Sequence, residues 1–528
     1  MQRGPPFSVD GNPDAWRSVI SAPGVPCTDQ DTVGMSERRL QMSPSLTGHN
    51  RGIRLLLLLA LVIGTPGLNG TARAEQDSAA RDSDTRPPNI VLMVSDDQRP
   101  DTIHALGNHE IRTPHLDALV HRGTAFTRAV CCNPICTPAR AELLTGASGF
   151  RNGVRDFGGS IDDSLPRIAG VLSEAGYATY YVGKWHNNGR PVDHGYRAVA
   201  ALFGSGGGRF ARDQRDYAGR PVTGYRGWVF QSADRTLYPE YGVGLFPEIS
   251  TRFADAATGV ISSSQSRPYF LHVNFTAPHD PLLLPTDVQF HYSPENISLP
   301  PNFAEEHPFD HGNFDGRDER LFAWPRTARE TRRELAAYYA VLTHLDAQVG
   351  RILRAIDSSP TANNTLIIYT SDHGLAMGSH GLRGKQNMYE HTIGIPLVIA
   401  GPGVSSNLKS PAQCCLRDLV ATICESAGQN VSQFPDSESL WPVLRGETQT
   451  LRRYVFGYFR DFQRMIRSAE SKLIYYPQID RWQFFDLVND PHELHDRHQD
   501  AAFGETVTLL RGELLQWQKS VGDAVEAK

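Results

Sequence analysis

Two apolar runs that each end in aspartate constrain the fold of this chain more than any other feature. Asn89 to Ser95 and Thr365 to Thr370 are apolar and rich in β-branched residues, a pattern typical of parallel strands buried on both faces. Asp96 and Asp97 follow the first run, and Asp372 follows the second. Since ligands of open α/β sheets lie at the carboxyl ends of strands, we expect one sheet edge to gather these carboxylates.

Adjacent carboxylates at such an edge must be solvated, paired or bound to a cation. Either acidic run alone fits a polar loop equally well, whereas two runs from separate strands together favour an oxygen-rich cation site. His373 follows Asp372 directly. Because a ring nitrogen is a less typical ligand for calcium than oxygen, His373 leaves the identity of the metal open.

The composition is that of an ordinary globular protein. The chain has 528 residues, a formal net charge of −6 and 40% hydrophobic residues. This length allows a large core and more than one domain. The mild acidity gives no sign of nucleic-acid binding, which usually requires a basic patch.

The N-terminal part has the layout of an exported precursor. Arg51 and Arg54 precede an apolar run from Leu55 to Ile63, and Ala72-Arg73-Ala74 offers a small-x-small cleavage site. The run is too short to span a membrane, so it predicts a secretory signal peptide. Signal peptides begin close to their basic residues, which favours Met42 as the true start; the alternative is an unusually long leader.

These features divide the chain into four parts. Residues 1–74 are the leader and signal peptide, 75–86 a polar tether, 87–445 the main domain and 446–528 a C-terminal α+β subdomain. We expect a secreted or periplasmic protein without a stable membrane span after signal cleavage. Export permits disulfides, but six cysteines are too few for a disulfide scaffold in a chain of this length. The six are Cys131, Cys132, Cys136, Cys414, Cys415 and Cys424.

The run Cys136-Thr137-Pro138-Ala139-Arg140 has the residues of a helix start. Thr137 is a good N-cap and Pro138 suits the first helical position, so Cys136 is predicted to lie just ahead of the helix. Free backbone N–H groups and the helix dipole favour an anion there, and Arg140 adds a cation. The pentapeptide alone fits an ordinary helix start with an inert, buried cysteine equally well.

Three further segments place basic side chains at predicted strand ends or turns. Gly183-Lys184-Trp185-His186 follows a strand, and Lys184 and His186 would share a face in extended chain. Thr276-Ala277-Pro278-His279-Asp280-Pro281 follows another strand, and its prolines hold His279 at the rim. Lys385 lies in Gly384-Lys385-Gln386-Asn387-Met388-Tyr389-Glu390. Taken singly, each histidine is more often structural than catalytic.

Together these motifs resemble those of the type I sulfatases, a family of the alkaline phosphatase superfamily. The eleven positions from Cys136 to Gly146 fit the family signature without a gap, with Ala139 where many members have serine. Gly183 to His186 resembles the second signature, and Gly384 to Glu390 resembles the segment whose lysine reaches the substrate sulfate. His373 departs from the pattern, since many members have asparagine there. The resemblance covers about residues 87 to 500.

The resemblance implies an alkaline-phosphatase-like α/β fold, with a mixed sheet sandwiched by helices and a small C-terminal antiparallel sheet. It implies hydrolysis of sulfate esters after a formylglycine-generating maturation enzyme has oxidised Cys136 to Cα-formylglycine, whose hydrated aldehyde is the nucleophile. The implied ligands of one divalent cation, Ca²⁺, are Asp96, Asp97, residue 136, Asp372 and His373. The implied catalytic residues are Cys136, Arg140, Lys184, His186, His279 and Lys385.

The resemblance predicts a sulfated small molecule or saccharide as the substrate and does not specify it further. The irregular, polar segment 282–330 is interpreted as the part of the active-site wall that contacts and selects the substrate. This segment and the predicted export both favour a carbohydrate sulfate. Choline sulfate and aryl sulfates are the alternatives within the family. A phosphate or phosphonate monoester hydrolase on the same fold is a third reading. The fourth is a non-enzymatic, secreted glycan-binding protein whose Cys136 is never modified.

Overall fold

The computed structural model describes residues 86–263, 266–285 and 292–525. The predicted leader, signal peptide and most of the tether lie outside the described residues. All described residues from 87 onwards belong to one compact unit. Across the described ranges, no helix combines the length and the apolar character that crossing a membrane requires.

Fourteen strands and ten α-helices make up this unit. The strands are β1 (Asn89–Ser95), β2 (Thr124–Val130), β3 (Ala178–Lys184), β4 (Ala198–Ser205), β5 (Trp228–Gln231), β6 (Leu237–Val243), β7 (Tyr269–Asn274), β8 (Thr365–Ser371), β9 (Leu397–Ala400), β10 (Leu408–Cys415), β11 (Val455–Phe459), β12 (Gln463–Arg467), β13 (Ser471–Tyr476) and β14 (Arg481–Asp486). The helices are α1 (Pro114–Arg122), α2 (Cys136–Thr145), α3 (Gly149–Asn152), α4 (Ile168–Glu174), α5 (Ile249–Ser262), α6 (Ala328–Asp357), α7 (Glu390–Ile393), α8 (Asp418–Ser426), α9 (Trp441–Leu444) and α10 (Gly504–Ser520).

The main sheet has ten strands in the order β10-β2-β9-β8-β1-β7-β3-β4-β5-β6. Its central strands β8, β1, β7, β3 and β4 run parallel. In the β1–β8 pair, Ser95 lies opposite Ser371, so both strands end at the same level. This register places the residues that follow each strand, Asp96 and Asp372, side by side.

Helices cover both faces of the sheet, as the alternation of side chains along β1 requires. Val91 and Met93 pack into a core that includes residues of α1, α5 and α6. Ile90, Leu92 and Val94 pack into a second core on the other face, with residues of α2, α4, α8 and α9. The prediction of a mixed sheet between helices is confirmed.

The C-terminal sheet is antiparallel with the order β11-β12-β13-β14, as predicted. Leu510 and Leu514 of α10 pack on one of its faces. Residues of its other face, such as Met465 and Ile474, share a core with Val130 at the end of β2. The C-terminal sheet is therefore packed against the region that carries Cys136. The division of the chain near residue 445 stays a prediction.

The predicted start of α2 is wrong by two residues. The helix begins at Cys136, and Ile135 with extended backbone is its N-cap, so Thr137 caps nothing. The amide of Ala139 donates to the carbonyl of Ile135, which makes the motif itself the first helical turn. Cys136 therefore lies within the first turn, where backbone N–H groups lack intrahelical partners.

Candidate active site

The candidate site lies at the carboxyl edge of the four adjacent strands β8, β1, β7 and β3. Asp96 and Asp97 follow β1, Asp372 follows β8, and Lys184 ends β3. Gly183 permits this arrangement, because a Cβ on it would lie 2.0 Å from the carbonyl oxygen of Asn274 on β7. Its φ of +94° also suits glycine. The strand order thus brings together side chains that are far apart in the sequence.

Asp96 is fully buried and receives two hydrogen bonds at one carboxylate oxygen. Lys184 Nζ lies 2.6 Å and the Tyr225 hydroxyl 2.7 Å from Asp96 Oδ2. Burial alone would raise the pKa of Asp96, but Lys184 lowers it well below its usual range. The other oxygen, Oδ1, accepts no hydrogen bond from the described residues, and Arg140 Nη2 lies 3.5 Å away. A buried carboxylate oxygen without a donor is expected to meet a cation.

Cys136 Sγ lies at the centre of the cluster. Lys385 Nζ is 3.2 Å and His373 Nε2 3.4 Å from this sulfur. Burial raises the pKa of the thiol, but Lys184, Lys385 and His373 together lower it well below its usual value. The surroundings of Cys136 therefore stabilise negative charge at this atom, unlike those of an inert cysteine in an apolar core.

A divalent cation fits the side chains around Asp97. One ligand atom from each of Asp96, Asp97, Cys136 and His373 lies within 4.8 Å of the others. Lys385 Nζ contacts both Asp97 oxygens at 2.7 and 3.0 Å, so an ammonium group already lies against this carboxylate. Two carboxylates in one cluster suit a hard cation, while His373 widens the choice of metal.

Asp372 lies beside this cluster rather than within it. Its Oδ1 accepts the backbone amides of Asp97 and His373 at 3.1 and 3.0 Å, and is 3.8 Å from His373 Nε2. Its Oδ2 binds Arg140 Nε at 3.1 Å. Burial raises the pKa of Asp372 to about 6, against the lowering effects of His373 and Arg140. Arg140 also donates to the Asn274 side chain, which ties α2 to β7.

The two predicted acid–base histidines have opposite surroundings. Burial lowers the pKa of half-buried His186, although its hydrogen bond with Cys136 opposes this. Burial also lowers the pKa of His279, but the Asp97 carboxylate, 3.7 Å from Nε2, raises it above its usual value. His279 Nδ1 donates to the backbone carbonyl of Asp280, which leaves Nε2 as the atom that exchanges a proton. The neutral form is thus favoured at His186 and the protonated form at His279.

A cavity of about 360 Å³ opens above Cys136. Cys136, His186, His279 and Lys385 line it, so these predicted residues meet in one pocket. Segment 282–330 contributes to its wall, as predicted from its irregular composition, and the loop after β11 contributes Arg460. The wall residues from segment 282–330 are Asn313, Gly316, Arg317 and Asp318.

Four residues of the site were not predicted from the sequence: Tyr225, Asn274, Arg317 and Asp318. Tyr225 contacts three predicted residues: its hydroxyl binds Asp96, its ring meets His279 edge-on at 4.8 Å, and Lys184 Nζ lies 5.2 Å from the ring centre. It comes from segment 206–227, which has no periodicity and no motif. The backbone of Tyr225 has a φ of +59°, which is unusual for tyrosine and shows that the surrounding structure constrains this residue. No pattern in the sequence predicts that Tyr225 belongs to the site.

Tyr225→Phe is expected to reduce kcat/KM by about tenfold, because Asp96 loses one of two donors that orient it. Removal of one oxygen keeps the ring and its packing. The measurement is kcat/KM on an aryl sulfate together with metal retention during chelator titration. Tyr339→Phe, which removes a buried hydroxyl bonded to Asn108 at 3.1 Å, is the matched control. Equal effects of the two variants would contradict the positioning role of Tyr225.

Comparisons with known proteins agree with this geometry. Residues 88–429 match the sulfatase family, and residues 378–520 match the C-terminal region of N-sulphoglucosamine sulphohydrolase. The chain is 27% identical over 454 residues to an arylsulfatase of Clostridium perfringens, covering 81% of this chain and 94% of the relative. It is 23% identical to an N-acetylglucosamine-6-O-sulfatase of Bacteroides thetaiotaomicron, covering 83% and 88%.

Solved structures share the fold. A protein in complex with its substrate D-glucosamine-2-N,6-O-disulfate superposes with a TM-score of 0.68 at 23% identity, covering 83% of this chain and 99% of that chain. The phosphonate monoester hydrolase of Agrobacterium radiobacter gives a TM-score of 0.66 at 22% identity, covering 82% and 96%. The family match spans well over half of the 528 residues, and it includes every residue predicted for the site. The chain therefore belongs to the sulfatase family of the alkaline phosphatase-like superfamily and is a sulfuric ester hydrolase.

Proposed function

We propose that this protein is an exported carbohydrate sulfatase that uses formylglycine at position 136 and one divalent cation. The observation that carries the proposal is the surroundings of Cys136, whose sulfur lies 3.2 Å from Lys385 and 3.4 Å from His373 at the base of a pocket. In this interpretation the sulfur stands in for the hydroxyl oxygens of the hydrated aldehyde. The formylglycine hydrate supplies the oxygen nucleophile for attack on the sulfur of the ester.

The charge of the site supports an anionic substrate. Three buried carboxylates, Asp96, Asp97 and Asp372, are paired with three buried cations, Lys184, Arg140 and Lys385. A divalent cation held by Asp96, Asp97, residue 136, His373 and the adjacent Asp372 would leave an excess of positive charge. When bound, it polarises the sulfate and orients the nucleophile. We propose Ca²⁺ because most of these ligands are oxygen atoms. The imidazole of His373 also suits other divalent metals, which are therefore tested as well.

Basic residues hold the sulfate and stabilise its charge during transfer. Lys385 and Lys184 both lower the pKa of Cys136, so both ammonium groups stabilise negative charge at residue 136. In this proposal the sulfate oxygen atoms bind beside residue 136 and interact with the same two ammonium groups. Arg140, fixed by Asp372 and Asn274, adds a planar donor that cannot lose its proton. Preorganised cations at a buried site stabilise developing oxyanion charge without reorganisation.

The histidine surroundings support one division of the proton transfers. His186, whose pKa is lowered, is neutral near pH 7 and accepts a proton from residue 136. His279, whose pKa is raised, keeps a proton at Nε2 for the oxygen that leaves. Groups whose environments push their pKa values apart divide the acid and base roles in this way.

Carbohydrate as the substrate class has two supports. The relative from Bacteroides thetaiotaomicron is named for N-acetylglucosamine-6-O-sulfate hydrolysis, and the pocket wall carries polar and charged side chains. Asn313, Gln386 and Arg317 offer amide and guanidinium groups that suit sugar hydroxyls. Export rests on the N-terminal pattern of basic residues, apolar run and cleavage site.

Kinetics on matched esters test the proposal. Protein produced together with a formylglycine-generating enzyme is assayed on nitrophenyl sulfate, nitrophenyl phosphate and a panel of defined sulfated saccharides. We expect kcat/KM for the sulfate to exceed that for the phosphate, and at least one saccharide to be desulfated. A preference for the phosphate ester, or the absence of turnover on every saccharide, would contradict the corresponding part of the proposal.

The roles of His279 and Lys385 predict different losses on two substrates. A sugar alkoxide needs a proton as it leaves, whereas nitrophenolate leaves unaided, so His279→Ala should reduce sugar sulfate turnover by roughly 10²–10³-fold more than nitrophenyl sulfate turnover. Lys385→Ala should reduce both similarly, because both carry the same sulfate.

The pH profile provides the control for this assignment. The protonated form of His279 persists above its usual pKa and is lost as pH rises through the raised value. Sugar sulfate turnover by the wild type should therefore show an alkaline limb that His279→Ala lacks. A selective loss on the sugar sulfate for Lys385→Ala instead would reverse the two roles.

A further inference from the structure

A second pocket opens beside the active-site pocket. Its volume is about 470 Å³, and it shares Phe157, His186 and Trp228 with the first pocket. Thr137, the residue after Cys136, is part of its lining. A ligand held at residue 136 can therefore extend past the shared wall into this second space.

The charged side chains that line the second pocket are basic. Arg190 and Arg235 line it, and no aspartate or glutamate of the described ranges does. Arg190 is neutralised, since its guanidinium binds Asp193 at 2.7 and 3.0 Å. Arg235 donates to the carbonyl oxygen of Gly189 at 3.2 Å, a neutral acceptor, and forms no ion pair with any described residue. A charged guanidinium in a pocket without carboxylates favours an anionic ligand.

An exposed aromatic side chain marks the boundary between the two pockets. Phe157 is 46% exposed, and its ring lies 5.9 Å from that of His186. Trp228 also contacts His186, edge-on and at 5.2 Å between ring centres. Aromatic faces at a pocket boundary suit the C–H face of a sugar ring, which is apolar on one side and hydroxylated at its rim.

We propose that the second pocket is a subsite for the neighbouring unit of a saccharide substrate, an anionic sugar whose carboxylate or sulfate pairs with Arg235. The inference rests on the proposed function, because it takes the substrate to be a saccharide. It adds that the substrate has at least two sugar units and a second anionic group. The substrate class is therefore an anionic, sulfated oligosaccharide rather than an isolated sugar sulfate.

The test compares a sulfated hexosamine with disaccharides in which the same unit is linked to a hexuronic acid, with and without a sulfate on that acid. Arg235→Ala should raise KM for the disaccharides about tenfold more than for the monosaccharide or nitrophenyl sulfate. A larger effect with the sulfated uronic acid would identify sulfate, and equal effects with both disaccharides would identify the carboxylate. Arg197→Ala is the control, because this exposed arginine lines neither pocket and binds Ser173.

Inhibition separates failure of the subsite from failure of the proposed function. The disaccharides should inhibit nitrophenyl sulfate hydrolysis by the wild type more strongly than by Arg235→Ala, even if they are not themselves desulfated. Equal fold-changes on mono- and disaccharides, or no inhibition by any disaccharide at millimolar concentration, would overturn the subsite.

A separate observation concerns two cysteines. The sulfur atoms of Cys132 and Cys415 lie 3.4 Å apart although the residues are 283 positions apart in the sequence. Cys132 follows β2 closely and Cys415 ends β10, and these strands pair in parallel with Cys415 opposite Val130. Both side chains are buried in the core between the two sheets. Cys131, by contrast, directs its thiol at the carbonyl of Asn133 at 3.0 Å.

We infer that Cys132 and Cys415 form a disulfide in the exported protein. The sulfurs need to approach by roughly 1.4 Å to reach a bond of ~2.05 Å. The oxidant is a small-molecule or protein disulfide, met while β2 and β10 come together during folding. One of the two thiolates attacks it and releases one thiol, then the other thiolate displaces the second. Two protein thiols thus lose two protons and two electrons, and the oxidant gains them.

The surroundings of the pair in the folded protein act on the pKa of Cys415. The pKa of Cys415 is lowered first by the hydrogen bond from Cys132 and further by the Arg417 guanidinium, although burial raises it. The bond would fix the segment just before Cys136 to the end of β10, and so stabilise the start of α2.

Peptide mapping tests the bond. Reduced, unfolded protein is refolded with oxidised and reduced glutathione, treated with N-ethylmaleimide under denaturing conditions and digested with trypsin. Cleavage after Arg128, Arg140, Lys409 and Arg417 should give peptide 129–140 linked to peptide 410–417. Reduction should lower the midpoint of thermal unfolding of this protein, because the cross-link constrains the unfolded chain.

Variants assign the linked positions, since peptide 129–140 also holds Cys131 and Cys136, and peptide 410–417 also holds Cys414. Cys132→Ala and Cys415→Ala should each abolish the linked peptide, whereas Cys131→Ala, Cys136→Ala and Cys414→Ala should keep it. N-ethylmaleimide on both Cys132 and Cys415 of refolded wild type would overturn the inference. Because refolding supplies the oxidant, this result does not depend on export.

Discussion

Replacement of Cys136 by alanine is expected to reduce sulfate ester hydrolysis by roughly 10⁴-fold or more, because the nucleophile itself is lost. The fold should survive, since the side chain lies in the first turn of α2 at the base of a pocket rather than among tightly packed core residues. The measurements are kcat/KM on nitrophenyl sulfate and the far-ultraviolet circular dichroism of wild type and variant.

The chemical state of residue 136 is the control. In wild type made with the maturation enzyme, mass spectrometry of peptide 129–140 should show an aldehyde that reacts with a hydrazide. Protein made without that enzyme should retain the thiol and lack turnover. Full activity from protein with an intact thiol at position 136 would contradict formylglycine as the nucleophile.

Asp96→Asn is expected to reduce kcat/KM by roughly 10²–10³-fold and to weaken metal retention. The carboxylate oxygen Oδ1, which accepts no hydrogen bond from the described residues, is the atom left for a cation. Loss of the charge also leaves the buried ammonium group of Lys184 without its carboxylate partner at 2.6 Å. The variant therefore loses a ligand for the cation and also leaves a buried positive charge unpaired. Asp372→Asn should behave similarly, because Arg140 would lose its carboxylate partner.

Metal analysis and chelation decide whether the site holds a cation. A chelator should abolish wild-type turnover, and readdition of Ca²⁺, Mg²⁺, Mn²⁺ or Zn²⁺ in turn should identify the metal. Asp213→Asn is the matched control, since this exposed carboxylate pairs with Arg226 away from the pocket. Unchanged metal content in both Asp96→Asn and Asp372→Asn would contradict a shared cation site.

Local patterns in the sequence predicted the framework of the site. The run from Asn89 to Ser95 forms β1, a central strand in which every residue is buried. A continuous apolar segment with β-branched residues is typical of a strand that is covered on both faces of the sheet. Its end fixes Asp96 and Asp97 at the carboxyl edge, and the same reasoning places Asp372. Resemblance to a family added the partners Lys184 and Lys385, which geometry brings to Asp96, Asp97 and Cys136.

Only the tertiary structure decided the rest. Tyr225 reaches Asp96 across 129 positions from a segment without periodicity, and Cys132 meets Cys415 only because β10 pairs with β2. Such contacts depend on strand order and on the path of irregular loops, which hydrophobic periodicity does not encode. The start of α2 was misjudged for a related reason. Thr137 has a good N-cap side chain, but the extended backbone of Ile135 begins the helix two residues earlier than local propensity predicts.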